Sequence, residues 1–175
     1  MTKETWDLLS RVAIIITIIW VPSIFILYFG MFNKIINILK KDKYSSKKIK
    51  WKVVFNYSKN NWIYIIGKNE QLFEIKLSKA SDESIHIYND PKSIKWVSIA
   101  LNKYSFSEIK DVREFEMSSR VECPQTNEIA ILKNIHWNYC VIKFINIKDR
   151  TRSDEVDEVT FKYIINSNWN TDFSD

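Results

Sequence analysis

The run from Val12 to Phe32, VAIIITIIWVPSIFILYFGMF, holds no charged residue. A helix rises ~1.5 Å per residue, so a run of this length spans a hydrocarbon core of about 30 Å. Arg11 and Lys34 close it at either end, and Tyr28, Phe29 and Phe32 fall where a bilayer interface holds aromatic rings. Pro22 would break a soluble helix but is tolerated in a membrane. The run is too long for the apolar part of a cleaved signal, and no small-x-small site follows it. It is apolar on every face, which a core helix seldom is. The expected organisation is a short flank at 1–11, a single transmembrane helix at 12–33, a basic juxtamembrane linker at 34–48, a β-rich domain at 49–166 and a polar tail at 167–175.

Charge sets the orientation. The net charge is +5 and the sequence pI about 9.1. Lys34, Lys40, Lys41, Lys43, Lys47, Lys48, Lys50 and Lys52 follow the apolar run, whereas Lys3 and Arg11 before it are balanced by Glu4 and Asp7. The positive-inside rule then puts the N-terminus outside and the C-terminal domain in the cytoplasm, as a single-pass protein of the cell membrane. The lysines would meet anionic lipid. Because the basic excess is explained by topology, nucleic acid is not the expected partner. The 2 glycines leave no glycine-rich phosphate loop.

Past residue 48 the hydrophobic period becomes two. Ile49, Trp51, Val53, Phe55 and Tyr57 alternate with Lys50, Lys52 and Asn56, the pattern of a half-buried strand. WIYII reads as a fully buried strand, and Phe73–Leu77, SIHIY, IKWVSIAL, EIAIL, NYCVIKFINI and EVTFKYII as further strands. The expected fold is mainly β, a small barrel or sandwich of roughly seven or eight strands. Ser105 and Glu108 form a capping-box pattern, which predicts one short helix over about Phe106–Phe115. Trp51, Trp62, Trp96 and Trp137 sit in strand-like runs and read as core, so Trp51→Ala should cost about 3–5 kcal/mol. Cys140 reads as a buried thiol.

Site candidates come from the rarer cation. Against many lysines, Arg120, Arg150 and Arg152 stand in loops, where a planar fork suits phosphate or carboxylate. Ser118 and Ser119 precede Arg120 and offer hydroxyls to the same oxyanion, or cap the turn. Arg150 and Arg152 have a competing use in pairing with Asp149, Asp154, Glu155 or Asp157. No catalytic residue, cofactor or metal is expected. His86 and His136 are the only histidines, and no metal-ligand spacing accompanies them. The Glu74-Ile75-Lys76 triplet, used by some nucleases, lacks its upstream acid between residues 42 and 70 and reads as a solvated strand face.

The stretch from Ser118 to Tyr163, with SSR, EIAILKN and the IKDR and TRSDEVDEVTFKY segments, resembles a domain of uncharacterised bacterial membrane-anchored proteins. The plan of a membrane helix followed by a small β-domain is similar in layout to β-barrel effectors of cyclic-oligonucleotide anti-phage systems. Those carry two membrane helices where this chain has one run, and no residue motif matches, so no ligand residue is carried over. The resemblance implies a sensor or effector in bacterial defence or signalling. The residues themselves point to an anchored domain that binds a small anionic ligand or a partner protein, with self-association left open. A scaffold subunit of a membrane complex and a membrane-tethered hydrolase are the alternatives.

Overall fold

A computed structural model describes residues 5–6, 26–36, 43–115 and 119–174, in two compact units, residues 1–43 and 44–175. In the first, residues 26–36 form a helix, α1, whose Ile26, Leu27, Phe29, Met31, Phe32 and Ile35 side chains are exposed. At ~1.5 Å per residue the described part of α1 covers about 17 Å. Among the described residues no helix is long and apolar enough to cross a membrane. Residues 12–25 of the expected span lie outside them.

The second unit is a β-sandwich of ten strands: β1 (Ser45–Ser46), β2 (Lys50–Phe55), β3 (Ile63–Ile66), β4 (Phe73–Lys79), β5 (Ile85–Tyr88), β6 (Ile94–Ile99), β7 (Val121–Glu122), β8 (Ile129–Asn134), β9 (Tyr139–Lys148) and β10 (Glu158–Asn166). One sheet runs β1-β3-β4-β5-β7 and the other β2-β10-β9-β8-β6. Every pair is antiparallel except β1 with β3. The margins are pinned together. Val97 of β6 bridges to Ser119 beside β7, and the Tyr163 hydroxyl reaches both Ser46 Oγ and the Lys48 carbonyl, each at 3.0 Å.

The eight longer strands fall where the sequence pattern placed them, but β3, expected fully buried, alternates between buried and half-buried residues. The count rises to ten because β1 and β7 are two residues each, too short to show a period. β1 lies in the expected linker, and Tyr44 packs edge-on to Phe55 at 5.9 Å, so the compact unit begins there.

Two cores hold the unit. Phe55, Phe73, Leu77, Ile87, Phe144 and Phe161 lie between the sheets. On the outer face of the second sheet Ile129, Ile131 and Val141 are covered by Ile109, Val112 and Phe173. β8 sends Ala130 and Leu132 into one core and Ile129 and Ile131 into the other, and so is buried on both faces. All these core residues lie within 44–175, so this unit has what it needs to fold by itself.

The covering segment departs from expectation. In place of one helix there are two 3₁₀ turns, Phe106–Glu108 and Val112–Glu114. The Ser105 hydroxyl bonds Ser107 Oγ and caps nothing. Backbone groups that an α-helix would use are spent on the tail: Val112 N–H donates to Thr171 O at 3.0 Å, and Ile109 O accepts from Phe173 N–H at 2.8 Å. The tail is accordingly part of the fold, with Phe173 buried, and not a frayed polar end. The Phe173 ring supplies the apolar surface that the polar composition conceals.

Each end of the sandwich is tied by one buried polar side chain. At one end Asn134 donates to Glu70 O at 2.7 Å and Leu72 O at 3.2 Å, and accepts from the N–H groups of His136 and Asn138 at 3.0 Å. Gly67 is required beside it: its φ is +73°, and a Cβ would strike the Gln71 carbonyl. At the other end Asp149 gathers Thr151, Arg152 and Lys79.

Candidate functional site

The inner face of β4 and β5 is core, so alternation sends Glu74, Lys76, Ser78, His86 and Tyr88 to the open face of the first sheet. Register sets Lys76 opposite Tyr88 and Ser78 opposite His86. Ser78 Oγ and Tyr88 OH share a hydrogen bond of 2.8 Å, and Lys76 Nζ sits 5.2 Å from the Tyr88 ring centroid. Asp90, just past β5, takes Lys76 Nζ at 2.9 Å and Arg120 Nε at 2.8 Å. Arg120 and then Lys76 hold the Asp90 carboxyl down at about 2.

Across this face runs a groove of about 500 Å³, lined by Trp62, Asn61, Ile63, Lys76, Asp90 and Pro91 among others. Trp62 is 50% exposed and closes a turn in which Asn60, Asn61 and Trp62 all have positive φ, of 50°, 53° and 65°. Asparagine adopts that conformation readily, whereas a bulky indole does so at a cost met mainly at functional surfaces. Arg120 spends only Nε on Asp90, its side chain is 77% exposed, and its terminal nitrogens donate to no group among the described residues. The groove thus joins a flat aromatic wall to a lysine, and Arg120 adjoins it through its bond to the lining Asp90.

The sequence candidates are distributed as follows. Ser118 lies outside the described residues. Ser119 Oγ bonds the Val121 carbonyl and caps its own turn. It also lines a second groove of about 570 Å³, whose Glu114 and Glu122 walls have the wrong sign for an anion. Arg152 gives Nη1 to Asp149 at 2.8 Å and Nη2 to Ala80 O at 3.4 Å, and Arg150 N–H donates to Asp157 at 3.0 Å. Lys79, paired with both Asp149 and Asp157, completes a network that orders the β9–β10 loop. Arg120 and Arg152 are not brought together. The Asp90 that holds Arg120 follows Tyr88 at one end of β5, and the Ala80 that receives Arg152 precedes Ile85 at the other.

Three tryptophans expected in the core are half exposed: Trp51 at 52%, Trp62 at 50% and Trp137 at 51%. Trp51 shares the inward face with the buried Val53 and Phe55 but overhangs the edge of the core, capped by Lys48 Nζ at 2.8 Å from its centroid. Trp62 and Trp137 stand in turns, not strands. Cys140 is fully buried and burial pushes its thiol up, as befits a core residue.

Sequence reasoning missed one pairing. Ile87 pairs with Glu122 and Ser84 with Gln125, which makes His86 and Cys123 cross-strand neighbours on the open face. Cys123 is exposed, and His86 Nδ1 is buried without a partner among the described residues. Nothing local announces a contact between positions so far apart in the chain. Glu74 accepts from Ser93 N–H while Lys76 goes to Asp90, so the Glu-x-Lys triplet does not converge. Among the described residues no three His, Cys, Asp or Glu side chains gather as a metal site. No protein-family model, no curated protein and no solved structure matches this chain.

Proposed function

We propose that this chain is a membrane-anchored binding module whose β-sandwich takes a small anionic ligand bearing a flat ring, in the groove between Trp62 and Asp90. Residues 12–33 anchor it, the lysine-rich segment keeps the sandwich on the cytoplasmic side, and clustering of the anchor is the output. The uncharged run and the exposed apolar side chains of α1 support the anchor. The observation that carries the binding role is the Arg120 fork, held in place by Asp90 through Nε with its other nitrogens directed to solvent. A guanidinium so fixed loses little freedom when it takes a phosphate or carboxylate in bidentate fashion. Trp62 supplies a stacking face, and Lys76 a second charge.

Titration calorimetry on residues 43–175 with adenosine monophosphate, ribose 5-phosphate and adenosine tests both halves of this chemistry. The nucleotide should bind more tightly than either part. Arg120→Lys keeps the charge and loses the fork, and should weaken the nucleotide about tenfold, equivalent to ~1.4 kcal/mol. Trp62→Ala should reduce it to the affinity of ribose 5-phosphate. Equal binding by wild type and both variants would remove the groove from consideration.

A further inference from the structure

The Asn134 end of the sandwich gathers the turns β3–β4, β5–β6 and β8–β9 with the segment after β10. Asn134 and Asn138 both donate to Glu70 O, at 2.7 and 2.8 Å, which fixes the β8–β9 tip against the β3–β4 turn. From this surface project Ile135, 52% exposed, Trp137, 51%, and Trp169, 71%. Trp137 and Trp169 have φ of 65° and 58°, a backbone state that bulky residues rarely adopt. Among them stand Lys68, Lys92 and Lys95, all exposed and without a carboxylate partner among the described residues. Lys95 Nζ lies 3.7 Å from the Trp137 centroid and Lys133 Nζ 3.9 Å, so two ammonium groups surround one indole. Of the acids nearby, Asp90 is taken by Lys76 and Arg120, Glu74 accepts from Ser93 N–H, and Glu70 remains. The opposite end exposes Asp82, Glu83 and Glu155 beside Lys59, Arg150 and Arg152, of which Arg152 is held by Asp149.

We propose that the Asn134 end is a docking surface for an anionic lipid bilayer. Indole rings settle at headgroup depth, with an apolar body toward the acyl chains and an N–H toward water, while lysines beside them meet lipid phosphates. The tryptophans project singly from separate turns. That geometry suits shallow insertion at several points and gives no continuous platform for stacked bases. Charge complementarity favours lipid further. With lysines free of carboxylates at one end and charges of both signs at the other, the domain presents the Asn134 end to a negative leaflet. This surface adjoins the groove at Pro91 and Lys92 but does not depend on a ligand there.

Residues 43–175 should co-sediment with vesicles of equal parts phosphatidylcholine and phosphatidylserine, and not with phosphatidylcholine alone. Lys68→Gln, Lys92→Gln and Lys95→Gln together should weaken binding roughly a hundredfold at low salt. Trp137→Ala with Trp169→Ala should weaken it about tenfold. On the vesicle, amide exchange should slow at residues 135–137 and 168–170 and stay unchanged at residues 150–155, a readout that needs no substitution. Absence of binding to the mixed vesicles, binding indifferent to the two tryptophans, or protection at 150–155 instead of the Asn134 end would each overturn the proposal.

Discussion

At one end of the sandwich a carboxamide, Asn134, ties the turns together; at the other a carboxylate, Asp149, does so, and both side chains are fully buried. The chemistry of the tie decides what the surrounding charges are free to do. Asn134 satisfies backbone groups only, so the lysines around it keep their charge for solvent or a partner. Asp149 consumes Lys79 and Arg152, and Asp157 takes Lys79 again together with Ser58. Arg152 of the β9–β10 loop is thereby committed to folding, while Arg150 gives only its backbone N–H to the network. A cation in a loop is therefore a ligand candidate only when no nearby buried acid claims it, a condition that Arg120 meets at its terminal nitrogens and Arg152 does not.

The largest effect should come from removing the neutral tie. Asn134→Ala leaves two backbone amides and the Leu72 carbonyl without their partner, while Glu70 O keeps Asn138, and should cost about 2–4 kcal/mol in urea unfolding. Asp149→Ala should cost less, about 1–2 kcal/mol, because Lys79 keeps Asp157 and both freed cations reach water. The reverse order would mean that the ionic end carries the greater share of stability and would break the comparison.

Acid should separate the two ends next. Burial pushes the Asp149 carboxyl up, but the hydrogen bonds from Thr151 and Lys79 outweigh it and hold the group at about 2; Asp157 is lowered in the same way. The folded value lies below the unfolded one of ~3.9, so this stabilisation is complete above that pH and is lost as pH falls through about 2. The melting temperature should drop between these limits. The drop should be shallower in Asp149→Asn and unchanged in Asn134→Ala. A wild-type slope in Asp149→Asn would show that the depressed carboxyl lies elsewhere, with Asp90 and Asp111 the next to examine.

The smallest effect is expected at Trp51. Half exposed and covered by one lysine, it should cost under about 1 kcal/mol on change to alanine. That is well below the figure the alternating pattern implies. A loss of about 3 kcal/mol or more would return Trp51 to the core and separate it from the exposed tryptophans of the Asn134 end.

Alternation made eight strands legible because a strand that is half buried must repeat every two residues. It failed at Trp51 for a reason period cannot contain: the pattern names the face, and only the neighbouring sheet's extent says whether that face is covered. The predicted 106–115 helix failed similarly. Its apolar residues are buried, as a helix would have them, but a flat sheet below and the tail beside it took the backbone groups a helix needs. Of the candidate site, the local Asp149–Arg152 pairing was readable at three residues' separation. Trp62, Lys76, Asp90 and Arg120 were not readable together, since their meeting depends on the β3–β4–β5–β7 order.

By itself, then, the sequence determined the apolar run, the side on which its lysines lie and the eight longer strands, because these follow from local composition and period. The tertiary structure alone decided which tryptophans reach water, which arginine keeps a free fork and which end of the sandwich is basic. Those properties belong to pairs of residues distant in the chain, and a charge or ring acquires its role only when the fold chooses its neighbour.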